Sequence, residues 1–235
     1  VEMQEEYMRD DVTPLSANGQ MTISVDCYDE TLTGISYEVR DSDSGRLIES
    51  TEVTDWTEGG EPGAQTATAV LPIQRLIEEG REYLLRICLT TENHPAVYYY
   101  TRIVYNTELH VSEMIDFVTY FSERTLMEEE KQEGASELGL YIEPDSTGDN
   151  SSLAYVNIHS SHRMLTWMNL APRRVGEPLV EIRQLDGSIG TLRLTYQVEA
   201  EGDSGRTETY DVEELFVVRW SELRFYLLAY ERHAN

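Results

Sequence analysis

The sequence predicts a mainly β chain, with two β-rich domains joined by one amphipathic helix. Three observations predict it. Apolar and polar residues alternate with a period of two over many short runs, and turn-forming clusters separate the runs. The period changes to that of a helix once, across residues 108–134. Asp186-Gly187 stands between two alternating runs, which is a strong hairpin signal. The predicted layout is a β-sandwich over residues 1–107, a connecting helix over 108–134 and an antiparallel β-rich domain over 135–235.

In the first domain, residues 1–20 are acidic and then turn-rich, so they read as a lead-in with one edge strand. Residues 21–28 alternate, with Ile23, Val25 and Cys27 on one face. Residues 35–40 alternate again, placing Ile35, Tyr37 and Val39 inward and Ser36, Glu38 and Arg40 outward. Asp41-Ser-Asp43-Ser-Gly45 is a turn by composition. Residues 46–53 make a further strand, and 54–65, with three glycines and a proline, read as a loop. The ladder resumes over 67–73. Over 82–90, Tyr83, Leu85, Ile87 and Leu89 share a face. Residues 96–105 close the unit, with Val97, Tyr99, Ile103 and Tyr105 inward.

The run Ile77-Glu-Glu-Gly80-Arg-Glu-Tyr83-Leu-Leu85-Arg-Ile87 resembles the E–F corner and F strand of a fibronectin type III domain, a relative of the immunoglobulin-like sandwiches. The resemblance implies that Tyr83 fixes the corner through its hydroxyl, six residues after the aliphatic Ile77. Residues 23–27 and 35–39 resemble the family's B and C strands, although its usual B-strand tryptophan is replaced by Cys27 or Tyr28. In immunoglobulin domains the second bridging cysteine follows the corner tyrosine by two residues. Leu85 stands there, so the resemblance implies two free thiols at Cys27 and Cys88.

Val111, Met114, Ile115, Val118, Phe121 and Thr125 form one helical stripe, with Glu128–Glu130 as a solvated end and Gly134 as a stop. In the last part of the chain, residues 138–142, 153–159 and 165–170 read as short strands. Residues 178–185 and 189–199 flank the hairpin turn. Asp203-Ser-Gly205 turns the chain into 206–220, and 223–230, apolar on both faces, reads as a fully covered strand.

The 235 residues suffice for buried cores without staples. A net charge of −26 repels phosphates and anionic headgroups, so nucleic acid and membrane surfaces are not expected partners. Lys131 is the only lysine among 18 basic residues. No run is long and apolar enough to span a bilayer. A chain that begins at Val1 is expected to be a processed piece of a longer one, anchored by a segment outside it.

Chemical motifs are sparse. On a helix, His159 and His162 could hold a metal; on the strand predicted here their rings diverge, so no metal pair is expected. The run 41–45 lacks the glycine a calcium loop needs at its sixth position, where Arg46 stands. Asp145–Asn150 reads as an ordinary polar loop rather than a calcium site. No nucleophile elbow, phosphate loop or dinucleotide fingerprint is present, so neither a catalytic residue nor a cofactor is expected. The candidate binding face is outward on the first domain: Tyr98, Tyr100 and Arg102 beside Arg86, a pairing enriched at recognition hot spots. Trp56 is a candidate exposed platform for a sugar, and Trp167 and Trp220 read as core. The expected function is a non-catalytic structural or protein-interaction module of the cell surface or envelope. A carbohydrate-binding accessory module and an envelope sensor are the alternatives.

Overall fold

The computed structural model describes residues 11–16, 18–61, 64–73, 78–106, 109–132, 134, 136–202 and 205–235. The chain is mainly β and divides into two compact units, Val1–Thr107 and Glu108–Asn235.

The first unit holds strands β1 (Val12–Pro14), β2 (Gln20–Tyr28), β3 (Leu32–Asp41), β4 (Leu47–Val53), β5 (Trp56–Glu61), β6 (Ala64–Pro72), β7 (Glu82–Thr91) and β8 (Val97–Val104). They form a five-stranded sheet in the order β1-β8-β7-β3-β4 and a three-stranded sheet in the order β2-β6-β5. Alternation puts Ile35, Tyr37 and Val39 of β3 in one hydrophobic cluster with Leu85 and Ile87 of β7. Ala67, Ala69 and Leu71 of β6 join the same cluster from the other sheet. Tyr37 is buried in it, and its hydroxyl lies 2.7 Å from Glu49 Oε1 and 2.8 Å from the Pro72 carbonyl. Tyr83 is buried, and its hydroxyl accepts the backbone N–H of Glu78 at 2.9 Å. Ile77 lies outside the described residues.

Two expectations for this unit are corrected. The segment read as a glycine-rich loop contains β5, whose Trp56 pairs with Ala69 and packs against the core. Its ladder bonds come from β6, which composition cannot announce. Tyr99, read as inward, is 55% exposed.

In the second unit, helix α1 (Val111–Thr125) precedes β9 (Tyr155–Asn157), a one-turn helix α2 (His162–Leu165) and the strands β10 (Arg173–Asp186), β11 (Ile189–Glu201), β12 (Thr207–Arg219) and β13 (Tyr226–Ala234). The sheet is antiparallel throughout, in the order β10-β11-β12-β13-β9. The Asp186-Gly187 hairpin forms as read, with Asp186 opposite Ile189 and Gly187 at φ +56°. Met114, Phe117, Val118 and Phe121 of α1 enter one core with Leu192, Leu194, Phe216 and Tyr230 of the sheet.

The helix therefore falls within the second unit, where it was expected as a connector. It stops at Thr125, and Glu130, expected in solvent, is buried in a 3-10 helix (Glu128–Lys131) between Arg124 and the Ser136 hydroxyl. Residues 138–142 are not a strand but hold a 3-10 helix (Leu138–Leu140). Residues 165–170 close α2 and then turn, with Trp167 and Met168 in the left-handed region. The fully covered strand expected over 223–230 is β13, which starts at Tyr226 and alternates in burial, and Leu223 is 92% exposed. Short apolar runs carry no periodicity that separates these outcomes.

Candidate functional site

The outer face of the five-stranded sheet gathers most of the residues that the sequence points to. Strand parity aligns them in rows. Tyr100 of β8 stands opposite Arg86 of β7, and Arg86 opposite Glu38 of β3. Tyr98 stands opposite Cys88 in the row to one side. Arg102 stands opposite Leu84, and Leu84 opposite Arg40, in the row to the other.

The side chains lock across these rows. The Arg86 guanidinium lies 5.1 Å from the Tyr98 ring centroid, and the Tyr98 and Tyr100 rings are 6.4 Å apart and tilted by 36°. Glu38 Oε2 receives Arg86 at 2.9 Å and Arg40 through both Nη2 at 2.9 Å and Nε at 3.1 Å. Arg40 also donates to the Gly45 carbonyl at 3.1 Å, which ties the face to the β3–β4 turn. Arg102 donates to Glu82 at 2.8 Å. Burial pushes the Glu38 carboxyl up, but its bonds to Arg40 and the charge and bond of Arg86 outweigh that and hold it below the ordinary value.

Arg40 and Arg86 thus share Glu38, and Arg102 holds Glu82. The guanidinium forks are held in place by carboxylates while the tyrosine rings remain half-exposed. Such a surface offers flat, rigid, amphipathic contact area at low entropic cost.

The structure does not bring Trp56 to this face. It lies on β5 of the other sheet, half-buried against the core, and presents no open platform. Tyr83 and its corner support the face from inside the unit. Trp167 is buried, while Trp220 is half-buried and stacks on His110 with centroids 3.5 Å apart.

Sequence reasoning missed a second cluster, inside the second unit. Glu214 of β12 and Arg232 of β13 stand opposite each other on neighbouring strands, and both are wholly buried. Tyr230 donates to Glu214 Oε1 at 2.6 Å, and the Ser122 hydroxyl contacts the other carboxylate oxygen. Arg174 reaches Ser122 at 2.6 Å and covers the Tyr196 ring at 4.2 Å. Arg232 donates to the Leu165 and Met164 carbonyls at 2.8 and 3.0 Å and lies 3.7 Å from the Trp167 centroid. Burial and the Glu214 charge raise both tyrosines well above the phenol range, so their hydroxyls stay protonated. Alternation on β12 marks position 214 as inward, and a glutamate there was the available signal.

Among the described residues, no three histidine, cysteine or carboxylate groups gather as a metal cage. Cys27 and Cys88 are free thiols. His159 follows β9 and sits 3.3 Å from Asp145, whereas His162 opens α2 and is buried. The 145–150 loop is held by its own turns, with Asp145 accepting the Thr147 N–H at 2.7 Å.

No protein-family model matches the chain, and a search of the curated proteins gives no match. Among solved structures, a crystal structure of the Pseudomonas aeruginosa CupB2 chaperone aligns over 87% of this chain and 97% of that one. The identity is 10% and the TM-score 0.25, a likeness too weak to inform fold or function.

Proposed function

We propose that the chain is a non-catalytic structural or protein-interaction module of the extracellular space or cell envelope. In this reading the first unit is an immunoglobulin-like or fibronectin type III-like sandwich. Its two sheets, its shared core and its buried corner tyrosine support that assignment.

The observation that carries the functional reading is the Tyr98–Arg86–Tyr100 cluster on the outer face, with Arg40 and Arg102 fixed beside it by Glu38 and Glu82. Tyrosine and arginine anchors held rigid before contact are what a protein-binding surface uses. The carbohydrate reading loses its platform with Trp56 packed on β5, and nothing observed favours the sensor reading.

The test is capture of a polypeptide partner from an envelope fraction by the immobilised chain. Tyr98→Ala combined with Tyr100→Ala is expected to lower capture by about tenfold or more while leaving the melting temperature unchanged. Unchanged capture would remove this face from the account.

A further inference from the structure

β2 is an edge strand. It pairs with β6 and, among the described residues, with no strand on its other side. Edge strands are ordinarily blunted by charge, proline or bulges, because a bare edge recruits other strands. Other edges of this chain follow that rule. β4 carries Glu49 and Glu52. β5 carries Glu58. β10 carries Arg173, Arg174, Glu177, Pro178, Glu181 and Arg183 and is irregular in two places. β2 carries one charge, Asp26, over nine residues, and its ladder is irregular only at the far end, after Asp26.

A partly apolar slot of about 370 Å3 opens beside this edge. Ile23 and Val25 of β2, Ile87 and Leu89 of β7, and Tyr99 of β8 line it. Ile23 and Val25 touch the core yet stay half-exposed, and Tyr99 and Tyr28 at the slot are 55% and 71% exposed. Tyr99, a tyrosine of inward parity that solvent reaches, therefore lines the slot together with residues of β2.

We propose that the free edge of β2 takes an extended segment of a partner polypeptide with alternating apolar and basic residues. Its backbone extends the β2-β6-β5 sheet, its apolar side chains enter the slot, and its basic side chains meet Asp26. Ladder bonds supply affinity in such strand addition, and the pockets for alternate side chains supply selectivity. Charge selects the occupant. A second copy would bring another −26, and residues 1–10 hold four carboxylates against one arginine, so both share the sign of the slot's Asp26. A basic segment does not. This surface is separate from the outer tyrosine face and stands without it.

The experiment measures fluorescence anisotropy of the full chain with a labelled synthetic peptide alternating Val or Ile with Lys. A scrambled peptide of equal composition and a Glu-for-Lys peptide serve as controls. The alternating Lys peptide is expected to bind saturably, and both controls to fail. Tyr99→Ala and Asp26→Asn, both at solvent-reached positions, should each weaken binding by about five- to tenfold with an unchanged melting temperature. Tyr98→Ala with Tyr100→Ala should leave binding intact, which separates this inference from the outer face. Absent binding, equal binding of the scrambled peptide, or indifference to Tyr99 and Asp26 would overturn it. Dimerisation lost on Tyr99→Ala would instead give the edge to a second copy. Binding that appears only after removal of residues 1–10 would give it to the chain's own leading segment.

Discussion

Glu214 has no solvent-exposed surface, yet it is a carboxylate facing Arg232 across a strand pair, with Tyr230 and Ser122 bonded to it. Charges taken out of water are tolerable when hydrogen bonds and a balancing charge accompany them. Glu214→Ala or Arg232→Ala alone should therefore cost about 3–5 kcal/mol in urea unfolding. Changing both together to Leu and Met should cost clearly less than the sum of the two, because neither charge is then stranded. An additive double mutant would mean that the two groups do not balance each other. Tyr37 makes a related point in the first unit. Burial, and then Glu49, push its hydroxyl up to about 12. An unfolded tyrosine ionises near ~10. The neutral form is the one that folding favours, so its contribution is complete below about pH 10 and is lost as pH rises through the folded value. Subtracting the absorbance titration of Tyr37→Phe from that of the parent should leave a phenol ionising near about 12. One ionising near the unperturbed value would show that the hydroxyl is not held as described.

At the scale of elements, two glycines mark close approaches of different kinds. A Cβ on Gly190 of β11 would fall 2.6 Å from Met114 Sδ of α1, the far end of a flexible side chain. A Cβ on Gly148 would collide with the His159 carbonyl oxygen, which belongs to the backbone. Thioethers adjust and backbone does not. Gly190→Ala is expected to cost about 1 kcal/mol or less, and Gly148→Ala about 2 kcal/mol or more, by chemical denaturation. The reverse order would mean that the helix is the less yielding of the two. The same contrast explains what the sequence reveals of the elements. The strands around Asp186-Gly187 are legible because alternation and turn chemistry agree over a long stretch. β5 is hidden because Gly59 and Gly60 read as loop while the ladder to β6 overrides propensity. Residues 138–142 and 165–170 are apolar but too short to show a period. On the outer face, parity puts Tyr98, Tyr100, Arg102 and Arg86 on one side of the sheet, and the strand register sets them in adjacent rows. Tyr99 escapes because parity says which way a side chain points, and not whether the opposing sheet reaches far enough to cover it.

At the scale of the molecule, each unit has its own hydrophobic core, and the whole carries a charge of −26. Self-repulsion of that size opposes compaction and is screened by salt. Raising ionic strength from about 0.01 to about 0.15 M shortens the screening length from about 30 to about 8 Å. The melting temperature should rise over that range, and a fall would show that ion pairs such as Arg86–Glu38 outweigh the net repulsion. What makes the outer face the candidate for partner contact is its fixed arginines beside half-exposed tyrosine rings. The most direct measurement places a photo-cross-linking residue at Ser36, in the same row as Cys88 and Tyr98, and another at Thr57 on the other sheet as control. The account predicts one discrete polypeptide adduct from position 36, lost when Tyr98→Ala and Tyr100→Ala are added, and none from position 57. No adduct from position 36, or the same adduct from both positions, would contradict the claim that this face binds a protein.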